Sequence, residues 1–239
     1  MMKKAIIIGA SSGIGRELAR VMATREYTIG LAARRLELLT ELQKELPVKT
    51  HVKRIDIAKS TEAMCLLREL IEEMGGADII VICAAICIYN PDLNWENEID
   101  TLNVDVVGVS AMANVAFNYF CEKGSGQIVG ISSFKALRGG GSSPAYNASK
   151  AFLSNYLEGL RINSRKLGKN ISITDIRPGL VNTSMTGEKN SFFVAPVKKV
   201  ASQICNAIEK KETISYIPKR YNIIAYLMRN MPFCFYSRL

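Results

Sequence analysis

The sequence predicts an α/β fold, a doubly wound parallel sheet contained in a single domain. Short apolar runs of strand length alternate with segments of helical periodicity from the first residues onward. The run over residues 79–83 is apolar throughout, as a strand buried on both faces should be. The 239 residues suffice for one large core and are short for two independent ones.

The individual elements follow in a regular order. Strands are predicted over residues 4–9, 27–33, 48–57, 79–83, 127–132 and 171–176. Helices are predicted over residues 14–25, 36–46, 60–74, 95–120, 145–167 and 196–210, with Ser60 as a cap and Pro47 and Gly75-Gly76 as stops. Parallel strands joined through helices form right-handed crossovers, so the expected architecture is Rossmann-like over residues 1–239. Residues 184–239 are expected to supply a substrate loop and a C-terminal extension.

Composition excludes several classes of function. The six cysteines show no CxxC pair, and His51 is the only histidine, so neither a disulfide framework nor a His-rich metal site is expected. The apolar stretch after the basic start is too short for a signal peptide, which predicts a cytoplasmic protein. Residues 198–239 hold eight basic and two acidic residues, a net +6 of the chain's +9. Without a nucleic-acid motif, this bias predicts a solvated basic face rather than a nucleic-acid partner.

A glycine-rich turn follows the first predicted strand. The segment Gly9-Ala10-Ser11-Ser12-Gly13-Ile14-Gly15 opens the first helix directly after that strand. Glycine there permits a tight turn and brings backbone N–H groups close to a pyrophosphate, and the helix N-terminus adds partial positive charge. Within this strand–helix rhythm the turn indicates a dinucleotide site.

Two arginines lie at the position where dinucleotide-binding folds contact the adenosine ribose. Arg34 and Arg35 end the second strand, about 20 residues past the glycine turn. An acid at this position would hydrogen-bond a free 2′-hydroxyl, whereas arginine offers charge and a forked donor to a 2′-phosphate. Ser11 or Ser12 could add a hydroxyl. The sequence therefore predicts NADP(H) in preference to NAD(H).

Several motifs together resemble the short-chain dehydrogenase/reductase family. They are Gly9-x-x-x-Gly13-Ile14-Gly15, Ser133 placed 13 positions before Tyr146, Tyr146-x-x-x-Lys150, and Pro178-Gly179-Leu180-Val181-Asn182-Thr183. The similarity covers residues 4–216, and the motifs occur in the family's order. The resemblance implies transfer of a hydride between a nicotinamide and a carbonyl or alcohol, and a homodimer or homotetramer formed through helices 95–120 and 145–167.

The resemblance also implies roles for individual residues. The expected cofactor-binding residues are Gly9, Ser11, Ser12, Gly13 and Ile14 at the phosphates, Asp56, Ile57 and Ala84 at the adenosine, and Pro178, Gly179, Val181 and Thr183 at the nicotinamide, together with Arg34, Arg35, Tyr146 and Lys150. The expected catalytic residues are Ser133, Tyr146, Lys150 and Asp105.

The acid/base chemistry also follows from the spacing itself. Tyrosine titrates near pH 10, too high for an efficient base at neutral pH. Lys150 lies one helical turn beyond Tyr146, so its charge is expected to favour the phenolate and lower the pKa of Tyr146. Ser133 would hydrogen-bond the reacting oxygen, with Ser132 as the adjacent alternative. Lys150 would also hold the ribose hydroxyls.

Two segments depart from the family pattern. Ile82-Cys83-Ala84-Ala85 stands where the family carries Asn-Asn-Ala-Gly, and a repacked but intact sheet is expected. Asp105 stands where the family carries an asparagine that holds a water beside the lysine. Asn103 cannot replace it, because two residues turn about 200° around a helix. A carboxylate near Lys150 would partly cancel the effect of the lysine on Tyr146, which predicts an altered proton relay and an alkaline-shifted pH optimum.

Three alternatives stay open at the level of sequence. The chain could be an NADP(H)-binding sensor or structural subunit with little turnover. The loop over residues 184–195, with Met185, Phe192, Phe193 and Val194, could be an apolar substrate lid or a core anchor. The apolar helix over residues 221–228 could pack over the cleft, form an oligomer interface, or contact a membrane surface, ranked in that order.

Overall fold

The computed structural model describes residues 2–183 and 194–237. A seven-stranded sheet lies at its centre, in the order β3-β2-β1-β4-β5-β6-β9, with every neighbouring pair parallel. The strands are β1 Lys4–Ile8, β2 Thr28–Ala33, β3 Thr50–Arg54, β4 Ile79–Ile82, β5 Ser125–Ile131, β6 Asn170–Pro178 and β9 Ile214–Ile217, and Val181–Asn182 (β7) pairs with Ala195–Pro196 (β8). The predicted doubly wound parallel sheet is confirmed.

Helices cover both faces of this sheet. They are α1 Gly13–Ala23, α2 Leu36–Glu45, α3 Ser60–Glu73, α4 Trp95–Leu102, α5 Val109–Lys123, α6 Pro144–Lys166, α7 Val197–Glu209, α8 Tyr221–Asn230 and α9 Phe233–Tyr236. Short helical turns occupy Asn103–Gly108, of π type, and Phe134–Leu137, of 3-10 type.

The core consists of two apolar layers, because successive side chains along a strand point to opposite faces. In β1, Ile7 belongs to the layer beneath α1, α2 and α7, whereas Ile6 and Ile8 belong to the layer beneath α3, α5 and α6. All three isoleucines are fully buried. A strand that is buried on both faces must be apolar at every position, which is why the sequence shows continuous apolar runs instead of alternation.

Chain order reverses between β1 and β4, which opens a crevice at the carboxyl ends of these strands. The segment Ile82-Cys83-Ala84-Ala85, which departs from the family pattern, leaves the pairing of the central strands intact. Strand β4, Ile79–Ile82, pairs with both β1 and β5. The backbone N–H of Cys83 also donates to the carbonyl of Ile8, at 2.8 Å. The expectation of an intact sheet is therefore confirmed.

The helical segment Trp95–Lys123 is long and apolar enough to cross a membrane by length and composition alone, since it contains an apolar window of 18 residues with a mean hydropathy of 1.3. In the structure it packs against the sheet and against α3, and more than half of its apolar window is buried. It therefore serves as a core helix of this fold.

The structure also differs from the sequence prediction in several elements. Strand β9 and helix α9 were not predicted, and the helix expected over residues 95–120 is interrupted by the π-type turn. Ser60 is the first residue of α3, which has no side-chain cap, so its predicted capping role is wrong.

Candidate active site

The glycine turn lies at the crevice between β1 and β4. A Cβ atom on Gly9 would come within 2.5 Å of the backbone nitrogen of Ala84, so only glycine allows the two loops to approach this closely. Helix α1 begins at Gly13 without a side-chain cap and without an acidic residue in its first turn. Its free N–H groups and partial positive charge therefore suit a phosphate anion.

Arginine side chains frame the same turn. The Nη2 atom of Arg35 donates to the hydroxyls of Ser11 and Ser12, at 3.0 Å and 2.9 Å, so the arginine bridges the two serines. Arg34 is exposed beside it, and both arginines line the cleft. The side chains that sequence analysis assigned to the ribose phosphate thus lie together, within reach of one ligand.

Ser133, Tyr146 and Lys150 converge on the opposite part of this cleft. Ser133 lies two residues after the end of β5 and directly precedes the turn Phe134–Leu137, while Tyr146 and Lys150 lie in the first two turns of α6. The Nζ atom of Lys150 lies 5.3 Å from the centroid of the Tyr146 ring. The hydroxyl of Ser133 accepts from the backbone N–H of Lys135 at 3.1 Å, which leaves its own hydrogen for a second partner.

Ser132 cannot take the role of Ser133. Its hydroxyl is buried, and its one hydrogen is shared between the carboxylate of Asp175 and the carbonyl of Ile176. These contacts join β5 to β6. Ser133 is therefore the serine whose hydroxyl is available to a substrate.

Asp105 forms a buried ion pair with Lys150. Its Oδ2 atom lies 3.1 Å from the lysine Nζ, and both side chains are at most 2% exposed. The carboxylate also accepts from the backbone N–H of Ile86 at 2.8 Å and from the hydroxyl of Ser149 at 3.4 Å. These donors fix the carboxylate against the lysine, as expected for a buried charge that must be paired.

The pKa of Tyr146 is raised from its ordinary value. Burial is the largest cause, and the positive charge of Lys150 opposes it, while Asp105 adds to the increase. A hydrogen bond from Ser133 acts with the lysine to lower the pKa. The expected net lowering is therefore wrong, although Lys150 acts in the expected direction, because burial, with smaller effects of Cys87 and Asp105, outweighs it.

The ion pair also affects the pKa values of its own members. Burial raises the pKa of Asp105, against the lowering effect of Lys150. Burial lowers the pKa of Lys150, but the charge of Asp105, followed by that of Tyr146, reverses the shift, so the lysine pKa is raised. The carboxylate therefore helps to keep the lysine charged within the protein interior.

The cleft is continuous from the glycine turn to Tyr146. Of the residues predicted to bind the cofactor or take part in catalysis, it is lined by Gly9, Ser11, Ser12, Gly13, Ile14, Arg34, Arg35, Asp56, Ile57, Ala84, Ser133, Tyr146, Lys150, Pro178, Val181 and Thr183. Gly179 does not line this cleft in the described part of the chain. Gly179 follows β6, and its backbone N–H donates to the carbonyl of Ile217 at the end of β9, at 2.8 Å.

Sequence reasoning missed two residues beside Tyr146. The Nζ atom of Lys135 lies 5.7 Å from the centroid of the Tyr146 ring, so a second cation stands beside the phenol. Cys87 is close enough to raise the pKa of Tyr146, and burial raises the pKa of its own thiol. The position of Lys135 two residues after Ser133 was the available signal, whereas nothing in the spacing of Cys87 indicated its place.

The predicted lid lies largely outside the described residues, which include neither Met185 nor Phe192 nor Phe193. Val194 is described and is partly buried. Helix α8 contacts the turn Phe134–Leu137, and the ring centroids of Phe134 and Tyr221 are 5.1 Å apart. The C-terminal helices therefore lie near Ser133. Of the three placements considered for the apolar helix over residues 221–228, this agrees with packing over the cleft.

The cleft lies where the strand order reverses, and it combines a phosphate-binding turn with a Ser-Tyr-Lys group. These features define a dinucleotide-dependent oxidoreductase. A family model described as short chain dehydrogenase matches residues 3–192. An uncharacterized oxidoreductase of Myxococcus xanthus is 34% identical over 193 residues, which are 79% of this chain and 76% of that protein. The chain belongs to the short-chain dehydrogenase/reductase family.

Solved structures show the same fold. A short-chain dehydrogenase from Sphingobium yanoikuyae in complex with NADPH has a TM-score of 0.80 at 20% identity, covering 97% of each chain. An alcohol dehydrogenase from Thermococcus sibiricus complexed with 5-hydroxy-NADP has a TM-score of 0.79 at 21% identity, covering 91% of this chain and 96% of that one.

Proposed function

We propose that the protein is an NADP(H)-dependent oxidoreductase that interconverts a carbonyl and an alcohol, with Tyr146 as its acid/base. The observation that carries this proposal is the convergence of Ser133, Tyr146 and Lys150 on the cleft that also holds the glycine turn. When bound, the nicotinamide would supply or accept the hydride. The residues of this chain then manage the proton and the reacting oxygen.

In the reductive direction the hydroxyl of Tyr146 gives its proton to the carbonyl oxygen. Ser133 donates a hydrogen bond to that oxygen and so favours the charge that develops there. Lys150 stabilises the phenolate that remains and would bind the ribose hydroxyls. Reduction starts from the protonated phenol, and burial, the largest cause of the raised pKa of Tyr146, favours that form.

The proposed preference for NADP(H) rests on Arg34 and Arg35. Both are exposed at the cleft, and Arg35 is held over the glycine turn by Ser11 and Ser12. A 2′-phosphate would receive charge-assisted hydrogen bonds from these guanidinium groups, whereas a free 2′-hydroxyl would not neutralise them. Two structural relatives are complexes with NADPH or an NADP derivative, which supports the same preference.

The test is NADPH oxidation by the purified chain with a panel of ketones and aldehydes that differ in apolar bulk. We expect turnover with at least one apolar carbonyl compound, and a fall of about 10²–10⁴-fold in kcat for Tyr146→Phe, which lacks the transferable proton. NADPH binding, followed by its fluorescence, should persist in the variant. Undiminished turnover by Tyr146→Phe contradicts the mechanism.

The alternative of a binding protein without turnover gains no support from the site. A sensor would need the dinucleotide turn but not a serine, a phenol and a lysine directed at one point. NADPH binding together with no turnover on the whole panel would favour that alternative.

We also propose that the protein is a cytoplasmic homodimer or homotetramer. Exposed apolar side chains on the π-type turn and α6, namely Val107, Phe152 and Ile162, support an interface through these helices. The free thiols suit a reducing compartment. Light scattering on the purified protein and fractionation of cells test the two statements.

A further inference from the structure

The C-terminal helices expose a set of large apolar side chains. We define the C-terminal apolar face as Ile223, Tyr226 and Leu227 of α8 with Phe233 and Phe235 of α9. Their exposed fractions run from 56% to 74%. Single exposed apolar residues are ordinary on a protein surface, but five within 13 positions of two successive helices are a concentration that indicates a binding surface.

This face belongs to a segment that is firmly attached to the protein. Tyr221 and Ala225 are buried on the inner side of α8. An Nη1 atom of Arg138 donates to the carbonyls of Met228 and Met231, at 3.1 Å and 2.8 Å. The hydroxyl of Tyr236 donates to the carbonyl of Gly139 at 2.6 Å. Since the inner side is already packed, the outer apolar face does not serve the core.

The charged residues in the segment that carries the face are all basic. Lys219 and Arg220 precede α8, Arg229 lies near its end, and no acidic residue follows Glu212. A partner for this surface should therefore be apolar and negatively charged. Aromatic and aliphatic side chains bordered by basic ones are the composition of helices that lie in the interface of an anionic bilayer.

A second copy of the chain fits this surface less well. In a two-fold symmetric contact the same patch lies on both subunits, so the basic residues of one copy would face those of the other. Like charges placed opposite each other disfavour such a contact. Charge complementarity thus favours a lipid surface.

We propose that the C-terminal apolar face binds the surface of an anionic membrane. Helix α8 begins just after the carboxyl end of β9, so the face lies at the edge of the sheet that carries the cleft. Docking would therefore turn the cleft edge toward the bilayer. Apolar carbonyl compounds concentrate in bilayers, so a docked protein would receive such a substrate directly from the membrane. This inference about substrate access rests on the proposed function, whereas membrane binding itself does not.

The test is co-sedimentation of the full chain with vesicles of phosphatidylcholine, with and without phosphatidylglycerol. We expect binding to the anionic vesicles and little binding to the neutral ones. The variants Ile223→Ser/Leu227→Ser and Phe233→Ser/Phe235→Ser should each weaken the binding about tenfold or more, because less apolar area enters the interface. Replacing Arg229 with Gln should weaken it about fivefold.

The matched control is Leu167→Ser/Ile214→Ser, which removes two exposed apolar side chains at the amino ends of β6 and β9. This control should bind as the parent does, and the far-ultraviolet circular dichroism and Tm of every variant verify folding. Equal binding by the C-terminal variants and the parent, or no binding of the parent to anionic vesicles, overturns the proposal. It is also overturned if the C-terminal variants convert a larger oligomer into a smaller one in light scattering.

Discussion

Asp105 sets the electrostatic balance of the candidate site at the scale of single residues. Its carboxylate pairs with Lys150 at 3.1 Å and raises the pKa of Tyr146. A carboxylate at this place thus has two opposed effects on the phenol. Its negative charge disfavours the phenolate directly. It also keeps Lys150 charged, and the charged lysine favours the phenolate.

We expect Asp105→Asn to shift the pH profile of carbonyl reduction toward acid. Reduction requires the protonated phenol, so its rate falls as the pH rises through the pKa of Tyr146. Because Asp105 raises that pKa, its neutralisation moves the fall to lower pH. The measurement is kcat/KM for reduction in the parent and the variant, over a pH range that extends above the ordinary tyrosine pKa of about 10, because the pKa of Tyr146 is raised from that value.

Superimposable profiles would contradict this role for Asp105. A shift toward alkali would show instead that the carboxylate acts mainly by keeping Lys150 charged, because burial lowers the pKa of a lysine that has lost its partner. Glu98→Gln is a suitable control. This residue accepts a hydrogen bond from Asn90 and makes no contact with the ion pair in the described structure.

Residue-level chemistry was largely predictable from the sequence, because helical spacing fixes which side chains share a face. Tyr146 and Lys150 are four residues apart, and the structure places them together as that spacing requires. Lys135 and Cys87 were missed because Lys135 lies in a single 3-10 turn and Cys87 lies outside any helix or strand, where spacing in the sequence does not determine side-chain direction. The net direction of the Tyr146 pKa was also missed, since it depends on burial.

At the scale of elements, the interruption of the long helix by Asn103–Gly108 positions Asp105. A π-type turn adds a residue to the helical repeat and is common at functional sites. Gly108 ends this turn, and a Cβ atom there would lie 2.4 Å from the backbone oxygen of Ile57. The glycine therefore lets the helix approach the loop after β3, next to the cleft.

Gly108→Ala should destabilise the protein by about 1–3 kcal/mol, because the backbone of Ile57 must move to make room. Gly159→Ala is the matched control, since this glycine lies within α6 and a Cβ atom there meets nothing within 4 Å. The control should instead stabilise by about 0.5–1 kcal/mol, through the lower chain entropy of alanine. Urea unfolding measures both, and equal effects of the two substitutions would contradict the close approach.

Elements were predictable where periodicity is long and strong, and less so elsewhere. The structure places strands β1 to β6 within a few residues of their predicted bounds, and the same holds for helices α1, α2, α3, α6 and α7. Strand β9 was missed because Ile214–Ile217 is short, and its pairing with β6 depends on a contact distant in sequence. The π-type turn could not be predicted, because the apolar pattern continues through it.

At the scale of the whole molecule, cofactor binding and stability are linked. A ligand that binds only the folded state stabilises it by an amount that depends on its concentration relative to Kd. Arg34 and Arg35 are both exposed at the cleft, so their charges do not stabilise the fold through burial. Their effect should appear chiefly when a 2′-phosphate is present, which allows cofactor preference to be measured without knowing the substrate.

We expect NADPH at a hundred times its Kd to stabilise the protein by about 2.7 kcal/mol, which raises Tm by roughly 5–10 °C for a chain of this size. NADH at the same concentration should raise Tm less, because it lacks the phosphate that the arginines bind. The double variant Arg34→Ala/Arg35→Ala should make the two shifts equal, whereas Arg68→Ala, on the exposed side of α3, should preserve the difference. Equal shifts in the parent would contradict the proposed preference, since no free energy would then come from contacts with the phosphate.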